Sequence, residues 1–521
     1  VYLLKLVVYE YPQLSTLSLP LQNDKSDVKE NKLLENRGGY YKIKEKIGVW
    51  IMKKRSAIIV GLCSLILFIS VAYAADIILS KEVSFDNGNT NLKASNVQDA
   101  LEELYSKAKF EKSCSADVAE PVLKDGLVPV KISDDGTVTY ADTSKSWYDY
   151  CEKVWANAVI LNDGVSYSVG DTIKESDIQS YFVWIPKYKY KLWNVDAPIE
   201  TVHEIDIIFD TKDTTDITGV SCKTPMTSGG SGNCKNGEYM THPSFISMGV
   251  NGFWVGKFET GYNGATSIET AQVDSNDTSK IIVKPNSYSW RNISVKNAFE
   301  ASYNYNRTLN SHMMKNTEWG AVAYLSHSKY GKNGEVNVNN NSSYKTGFSA
   351  LPSTEQQTYP GTSGDGNTFN NPYNTEIGYL ASTTKNISGI YDMSGGAHEY
   401  VAGYMSGQLG SSGFTTSTIA NYDSKYFDVY SSSSTISSYQ YRILGDATGE
   451  MGPFKSYKDE DGNSRYHNGW YNDYSNFVNS TYSWVLRGGR YGHGVLAGQF
   501  DFDGITGSNN PSTGFRIILS P

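Results

Sequence analysis

The C-terminal region contains Trp484-Val-Leu-Arg-Gly-Gly-Arg490-Tyr-Gly-His-Gly-Val-Leu-Ala-Gly-Gln-Phe500-Asp-Phe-Asp503, followed by Gly514-Phe-Arg-Ile-Ile518. Phe500 and Phe502 alternate with aspartates, which is the spacing of a strand that buries one face. The interspersed glycines allow tight turns that other residues resist. We therefore predict that Phe500, Phe502 and Phe515 face the core and that the side chains between them point outward.

A second motif lies upstream and runs Asn386-Ile-Ser-Gly-Ile-Tyr-Asp392-Met-Ser-Gly-Gly-Ala-His-Glu399-Tyr400. Before it come a strand-like segment, Gly252-Phe-Trp-Val-Gly-Lys-Phe-Glu-Thr260, and a segment with helical spacing, residues 317–325. A further aromatic stretch, residues 184–190, also has the composition of a strand.

Taken together, these motifs resemble the formylglycine-generating-enzyme/sulfatase-modifying-factor family. In that family an N-x-x-G-[LI]-x-D-M-x-G-N-x-x-E-W segment precedes an R-G-G segment and a final G-F-R. The resemblance covers about residues 180–521. It implies an α+β chain with the C-type lectin fold of the sulfatase-modifying-factor type, with many short strands, few helices and long loops.

The residues depart from that family where its catalysis would be expected. Formylglycine-generating enzymes bind copper through cysteines near the end of the domain, whereas this chain has no cysteine after Cys234. Gly396 and Tyr400 replace the Asn and Trp of the family motif. We expect Asp392 and Glu399 to be structural, either pairing with a buried arginine (Arg487 or Arg516) or holding a turn. We therefore predict that the chain is not an enzyme and needs no cofactor.

One subset of this fold fits better: the chain resembles the variable proteins of diversity-generating retroelements. In those proteins adenine-directed mutagenesis rewrites AAC codons, which cannot then encode Lys, Glu, Gln, Met or Trp. From Val485 to Ser520 the chain has no Lys, Glu, Met or Trp, and its only Gln is Gln499. The variable region would span residues 484–518, with a fixed frame of residues 484–489, 497–500, 502, 507 and 514–518.

The positions between these frame residues are the ones that we predict to vary. They hold Arg490, Tyr491, Gly492, His493, Leu496, Asp501, Asp503, Gly504, Ile505, Ser508, Asn509, Asn510, Pro511, Ser512 and Thr513. All of them except the glycines and the proline are the predicted ligand-binding residues. An ordinary C-terminal hairpin with incidental composition is the alternative.

The composition restricts the class of partner. The chain has 39 Tyr, 10 Trp and a net charge of −9. It lacks the clustered Lys and Arg typical of nucleic-acid-binding proteins, and surfaces rich in Tyr, Ser, Gly and Asn are typical of protein recognition. Its seven histidines form no H-x-x-x-H pair, so we expect no metal site.

The N-terminal part resembles an export signal. Lys53, Lys54 and Arg55 precede an apolar run at residues 57–72 and an Ala72-Tyr-Ala74 cleavage pattern. We interpret residues 52–75 as a signal peptide or membrane anchor and residues 1–51 as an over-extended gene start or unstructured. A genuine cytoplasmic segment ahead of an anchor is the alternative. The body would be secreted or displayed at the cell surface.

The body then divides into three predicted parts. Residues 76–112 form a short N-terminal region with an amphipathic helix, because apolar residues recur at three- and four-residue spacing from Val97 to Ala108, with Ser95 as N-cap. Its segment 95–108 could join protomers or dock on its own domain. Residues 113–180 form a strand-rich part, and residues 181–521 form the lectin-like domain.

Four cysteines follow the apolar run: Cys114, Cys151, Cys222 and Cys234. An even number in an exported chain suggests disulfides, with Cys222–Cys234 and Cys114–Cys151 as the candidate pairs, although four free thiols are the alternative.

The sequence therefore predicts an exported, non-catalytic, receptor- or adhesin-like protein. It would bind a macromolecular ligand, a protein or a glycan at a cell or phage surface, and no nucleic acid. The alternatives are a sulfatase-modifying-factor-like oxidising enzyme and a phage receptor-binding protein.

Overall fold

The computed structural model describes residues 84, 94–101, 103–104, 118–193, 201–210, 237, 239–350, 371–430, 452, 454–455 and 467–521. The predicted segments 1–51 and 52–75 lie outside these residues, as does the apolar run 57–72. None of the helices in the described part of the chain combines the length and apolar character that a membrane crossing requires. The chain divides into two compact units, Val1–Ser106 and Lys107–Pro521.

Residues 97–101 and 103–104 of the first unit are helical, within the predicted amphipathic segment. The N-cap is Asn96 rather than the predicted Ser95, because the side chain of Asn96 accepts the backbone N–H of Asp99 at 2.9 Å. Leu101 and Leu104 are exposed, while Ala100 is buried.

The second unit is built mainly from short strands with few helices and long loops, as predicted. The strands are β1 (Val128–Ile132), β2 (Val138–Tyr140), β3 (Asn157–Leu161), β4 (Thr172–Ile173), β5 (Ile178–Pro186), β6 (Tyr188–Lys191), β7 (Ile207–Phe209), β8 (Tyr239–Thr241), β9 (Gly252–Gly256), β10 (Gly261–Tyr262), β11 (Ile281–Ile282), β12 (Ser311–Met313), β13 (Phe348–Ser349), β14 (Asn371–Pro372), β15 (His398–Met405), β16 (Asp428–Tyr430), β17 (Phe454–Lys455), β18 (His467–Gly469), β19 (Tyr474–Ser475), β20 (Trp484–Arg487), β21 (Phe502–Ile505), β22 (Thr513–Phe515) and β23 (Ile517–Leu519). The helices are α1 (Pro243–Met248), α2 (Val295–Tyr305), α3 (Asn316–Ser326) and α4 (Thr416–Ile419).

One antiparallel sheet joins strands from both ends of this unit, in the order β12-β23-β9-β5-β3-β1-β2-β4. The predicted boundary between residues 180 and 181 falls inside β5, so the predicted strand-rich part and the predicted lectin-like domain share this sheet. The aromatic stretch predicted as one strand at residues 184–190 is divided between β5 and β6.

A second sheet carries the C-terminal motif, in the order β16-β15-β20-β21-β19-β18-β17. Within it β15 pairs antiparallel with β20 and parallel with both β16 and β22. The upstream motif and the C-terminal motif are therefore neighbouring strands, although they lie far apart in the chain.

The helix predicted at residues 317–325 is α3, and all of its residues are buried. A helix buried on every side carries apolar or small residues all round rather than one apolar stripe, and Trp319, Val322 and Leu325 fit that pattern. Glu318 closes its first turn by accepting the backbone N–H of Lys315 at 2.8 Å.

The segment 331–374 is rich in Asn, Ser, Thr and Gly, and its described part is irregular but largely buried. Val336, Val338, Asn339 and Phe348 are all buried. Hydrogen bonding makes this burial feasible, because Asn339 donates to the carbonyl of Lys345 and to Asp392, both at 2.8 Å.

Candidate ligand-binding surface

The predicted frame is a buried scaffold. Phe500, Phe502 and Phe515 are each at most 1% exposed, which confirms that they face the core. Gln499, the one Gln of the region, is also buried, and its side chain donates to the Ser326 hydroxyl at 2.9 Å.

Gly488 and Gly489 make the turn after β20, with φ values of +85° and +70°. A Cβ at residue 489 would lie 2.6 Å from the Cβ of Ala497. This turn therefore requires glycine, as a frame position should.

The sheet connectivity gathers part of the variable region at one edge. His398, at the start of β15, pairs with Thr513, and its neighbour Glu399 pairs with Arg487 at the end of β20. Because β21 runs antiparallel to β20, Phe502 begins β21 at the same edge, opposite Arg487. The loop of residues 488–501 and the residues just before Thr513 must therefore meet there.

Five side chains meet at this edge and form what we call the edge patch: Arg490, Tyr491, His493, Ser512 and Tyr344. The first four are partly or fully exposed, whereas Tyr344 is buried. Arg490 donates to His493 Nε2 at 3.0 Å and to the Ser512 hydroxyl at 3.3 Å. The hydroxyl of Tyr344 donates to the same Ser512 oxygen at 3.0 Å. The rings of Tyr344 and Tyr491 pack edge to face with centroids 4.8 Å apart.

Tyr344 belongs to the patch although it lies far outside the predicted variable region. The guanidinium of buried Arg291 stacks on its ring, 3.8 Å from the centroid. Arg291 in turn donates to the carbonyls of Pro511 and, at 2.8 Å, of Ile268. Arg291 thus ties Tyr344 to the chain before β22, and no local spacing in the sequence pointed to this contact.

His398, His493 and Asp501 converge next to the patch, with one ligating atom from each lying within 4.8 Å of the others. The His398 and His493 rings stand nearly perpendicular, with centroids 4.8 Å apart. Nε2 of His398 lies 3.7 Å from Oδ1 of Asp501. The expectation of no metal site rested on the absence of short His spacings, whereas these residues come from a strand and two loop positions.

Burial dominates the electrostatics of this cluster. It lowers the pKa of His493 to about 3, and the neighbouring His398 and Arg490 lower it further. His493 is therefore neutral near pH 7, as an acceptor from Arg490 must be. Burial also raises the pKa of Asp501, while the adjacent His398 opposes that shift.

Two predicted display residues are not at the surface, and that part of the prediction is wrong. Asp501 is 0% exposed and Thr513 is 1% exposed. Asp501 accepts the backbone N–H of Gly489 at 3.0 Å and so holds the glycine turn. Thr513 is held inside by its pairing with His398. Both residues can be encoded after mutagenesis of an AAC codon, but the codon does not determine whether the side chain is buried.

The other predicted residues are partly or fully exposed but extend beyond the edge patch. Leu496 lies in a short 3-10 turn, Gly494–Leu496. Asp503 and Ile505 lie on β21, and Ile505 pairs with Trp484 at the opposite end of β20. Ser508, Asn509 and Asn510 follow in the segment that returns toward β22, and Asn509 is exposed. The predicted single face is therefore spread over two ends of the sheet.

The motif carboxylates have the predicted structural roles. Glu399 pairs with the buried Arg516, accepting from Nε at 2.9 Å and from Nη2 at 2.5 Å. Asp392 accepts the backbone N–H of Gly347 at 2.9 Å. Arg487, the alternative partner, instead donates to the Asp501 carbonyl at 2.6 Å and to Asn316 at 2.8 Å.

A third buried carboxylate, Glu259, joins this network from the segment after β9. It accepts the backbone N–H of Ala397 at 2.8 Å and the hydroxyl of Ser289. Burial, and then the neighbouring Asp392 and Glu399, raise its pKa well above 4.5. The edge patch thus stands on a rigid base of buried hydrogen bonds.

Cys151 is disulfide-bonded. The other candidates for pairing, Cys114, Cys222 and Cys234, lie outside the described residues.

No protein-family model matches the chain, and no curated protein matches it in sequence. The solved structures that are similar include two variants of one protein. The Major Tropism Determinant P3c variant is 13% identical and has a TM-score of 0.24, with 77% of this chain and 74% of that chain covered. The Major Tropism Determinant I1 variant is 11% identical and has a TM-score of 0.23, with 80% and 97% covered. Likenesses this low carry no argument about fold or function.

Proposed function

We propose that this chain is a non-catalytic ligand-binding protein that displays diversified side chains on a C-type lectin fold. Its ligand is a macromolecule, a protein or a glycan at a cell or phage surface. The ligand contacts the edge patch and the exposed residues of the variable region around it. Export through residues 52–75 is part of the proposal and rests on the sequence alone.

The observation that carries the proposal is a difference in burial within one short region: frame side chains are buried, and several predicted variable side chains are exposed. Every predicted frame aromatic is buried, while Arg490, Tyr491, His493 and Ser512 are partly or fully exposed. Arg490 donates to both His493 and Ser512. Exposed substitutions usually change the free energy of unfolding little. The buried frame can therefore carry different side chains at these exposed positions without losing its fold.

The patch also has the chemistry of a recognition surface. Tyr491 supplies rigid contact area with a polar tip, and Arg490 supplies a charged fork of donors. Residues of these types account for much of the binding energy at many interfaces.

The non-catalytic part of the proposal rests on the absent thiols. The sequence has no cysteine after Cys234, and Cys151, the single cysteine among the described residues, is disulfide-bonded. The carboxylates of the shared motifs are buried in the Arg516 network rather than facing a cleft.

The first test is genetic. The DNA flanking the gene should contain a near-copy of the codons for residues 484–518, beside a reverse transcriptase gene, with AAC at the varied positions. A flanking region without such a copy would leave a fixed binding domain in place of a diversified one.

The second test is binding to intact cells of candidate hosts, scored by flow cytometry with the labelled full chain. Tyr491→Ala and Arg490→Ala should each reduce binding at least tenfold. Tyr482→Ala is the matched control, because Tyr482 is an exposed tyrosine beside the far end of β20. Equal loss in the patch variants and the control would refute the assignment of the binding surface.

A further inference from the structure

We propose that His398, His493 and Asp501 form a binding site for a divalent transition-metal ion, with Zn²⁺ as the best fit. The site does not depend on the proposed function, since it can be occupied without any macromolecular ligand. It goes against the sequence-based expectation that the chain holds no metal.

His398 and Asp501 each hold a buried ligand atom that has no hydrogen-bond partner. Nε2 of His398 and Oδ2 of Asp501 are both buried, and neither makes a hydrogen bond. The His398 side chain is 9% exposed and that of Asp501 is fully buried. A buried polar atom without a partner costs free energy, and a metal ion held by His398 Nε2 and the Asp501 carboxylate would give both groups a partner.

The distance between the His398 and Asp501 donor atoms also fits a zinc site. Ligands at about 2.0–2.2 Å from a tetrahedral zinc lie about 3.4 Å from each other. The 3.7 Å separation of His398 Nε2 and Asp501 Oδ1 is close to that value. His493 must approach to complete the set, and its position in a partly exposed loop allows a rotamer change.

The Asp501 carboxylate is held in position by a hydrogen bond from the glycine turn. Oδ1 of Asp501 accepts the backbone N–H of Gly489 at 3.0 Å. Metal-binding carboxylates are commonly oriented by such a hydrogen bond from outside the ligand set. Because the glycine turn is part of the buried frame, Asp501 is held in place before any ion arrives.

The donor set selects the class of ion. Two imidazoles and one carboxylate suit zinc and neighbouring transition metals, whereas Mg²⁺ and Ca²⁺ prefer oxygen ligands alone. Three protein ligands also leave a fourth position for water or an added ligand.

Arg490 connects this site to the edge patch. Its Nε–H donates to His493 Nε2, so this nitrogen is unprotonated and the proton of the neutral ring is on Nδ1. If the metal binds Nδ1 of His493, Nε2 carries the proton and cannot accept from Arg490. If the metal binds Nε2, the lone pair of that nitrogen is occupied and again cannot accept. Metal binding must therefore break the Arg490–His493 hydrogen bond, while Arg490 keeps its hydrogen bond to Ser512 within the patch.

The test is a calorimetric titration of the metal-free full chain with ZnCl₂, alongside CaCl₂. We expect one saturable zinc site that His398→Ala and Asp501→Asn each weaken at least ~100-fold, the upper end of the loss for removing an outer-shell partner. Arg490→Ala should bind zinc several-fold more tightly, because a competing donor and a repelling cation are gone. His203→Ala, a histidine outside the cluster, should not change the affinity, and calcium should not bind.

His493→Tyr shows whether zinc binding is lost without unfolding of the chain. Because residue 493 is partly exposed, this variant should keep the parent melting temperature while losing zinc. Absence of a saturable zinc site, or unchanged affinity in His398→Ala and Asp501→Asn, would overturn the site. Unchanged affinity in Arg490→Ala would overturn the competition. Cell binding by the zinc-free chain is scored separately, so failure here leaves the proposed function intact.

Discussion

Gly489 and Gly492 lie three residues apart in the same loop, yet the structure assigns them opposite roles. Gly489 belongs to the frame, with φ of +70° and Ala497 in contact range of any added Cβ. Gly492 belongs to the display positions, and a Cβ there would meet no heavy atom within 4 Å. Alanine at each position therefore tests the division between frame and display.

The expected cost at Gly489 has two parts. A non-glycine residue in the left-handed region costs about 1–2 kcal/mol. Moving Ala497, whose Cβ would lie 2.6 Å away, costs about 1–3 kcal/mol, as overpacking of a dense core does. Gly489→Ala should thus lower the free energy of unfolding by about 2–5 kcal/mol, and Gly492→Ala should change it by no more than about 0.5 kcal/mol.

The assay is urea unfolding of the full chain, followed by tryptophan fluorescence, for the parent and both variants. Trp319 is buried against the turn, 3.0 Å from where a Cβ at residue 488 would lie, and reports on its surroundings. The midpoint should fall for Gly489→Ala and stay in place for Gly492→Ala. Equal shifts in the two variants, or no shift at residue 489, would refute the reasoning.

Three further outcomes follow from the buried groups. Thr513→Tyr should lower the free energy of unfolding by more than about 2 kcal/mol, because the space around Thr513 is already filled. Asn509→Tyr, at an exposed site, should leave that free energy unchanged in the same unfolding assay. Equal effects of the two substitutions would restore Thr513 as a display position. Arg516→Met should cost about 3–5 kcal/mol, since it leaves the Glu399 carboxylate buried without its partner, and a neutral result in denaturant titration would contradict that pairing. Glu259 has a raised pKa in the folded chain. Above pH 4.5 its carboxyl therefore ionises in the unfolded chain at a lower pH than in the folded chain. Because of that difference, its contribution to the free energy of unfolding falls as pH rises. Glu259→Gln should therefore gain stability relative to the parent between pH 5 and 7, by up to about 1.4 kcal/mol per pH unit in melts at each pH; a constant difference across that range would show that Glu259 ionises normally.

Local patterns were sufficient for much of the fold. The alternation around Phe500 and Phe502 predicted buried aromatics, and the spacing at residues 317–325 predicted α3. Both depend on contacts between near neighbours in the chain, so a single sequence carries the signal. The structural role of Glu399 also followed, because a charged residue inside an apolar motif needs a partner when it is buried.

The composition of the edge patch could not be predicted in the same way. Tyr344 reaches Ser512 across 168 residues of chain. His398 meets His493 and Asp501 only because β15, β20 and β22 are neighbours in one sheet. Spacing along the chain says nothing about such contacts, and for that reason the expectation of no metal ligands missed the cluster.

The sequence by itself determined which residues of the C-terminal region are glycines with turn roles, which aromatics alternate, and which side chains an AAC codon can reach. The tertiary structure decided which of those side chains are at the surface. Asp501 and Thr513 satisfy every sequence criterion for display but are buried, because a turn and a strand pairing hold them inside. Burial depends on what packs against a residue from distant parts of the chain, and only the folded sheet brings those parts together.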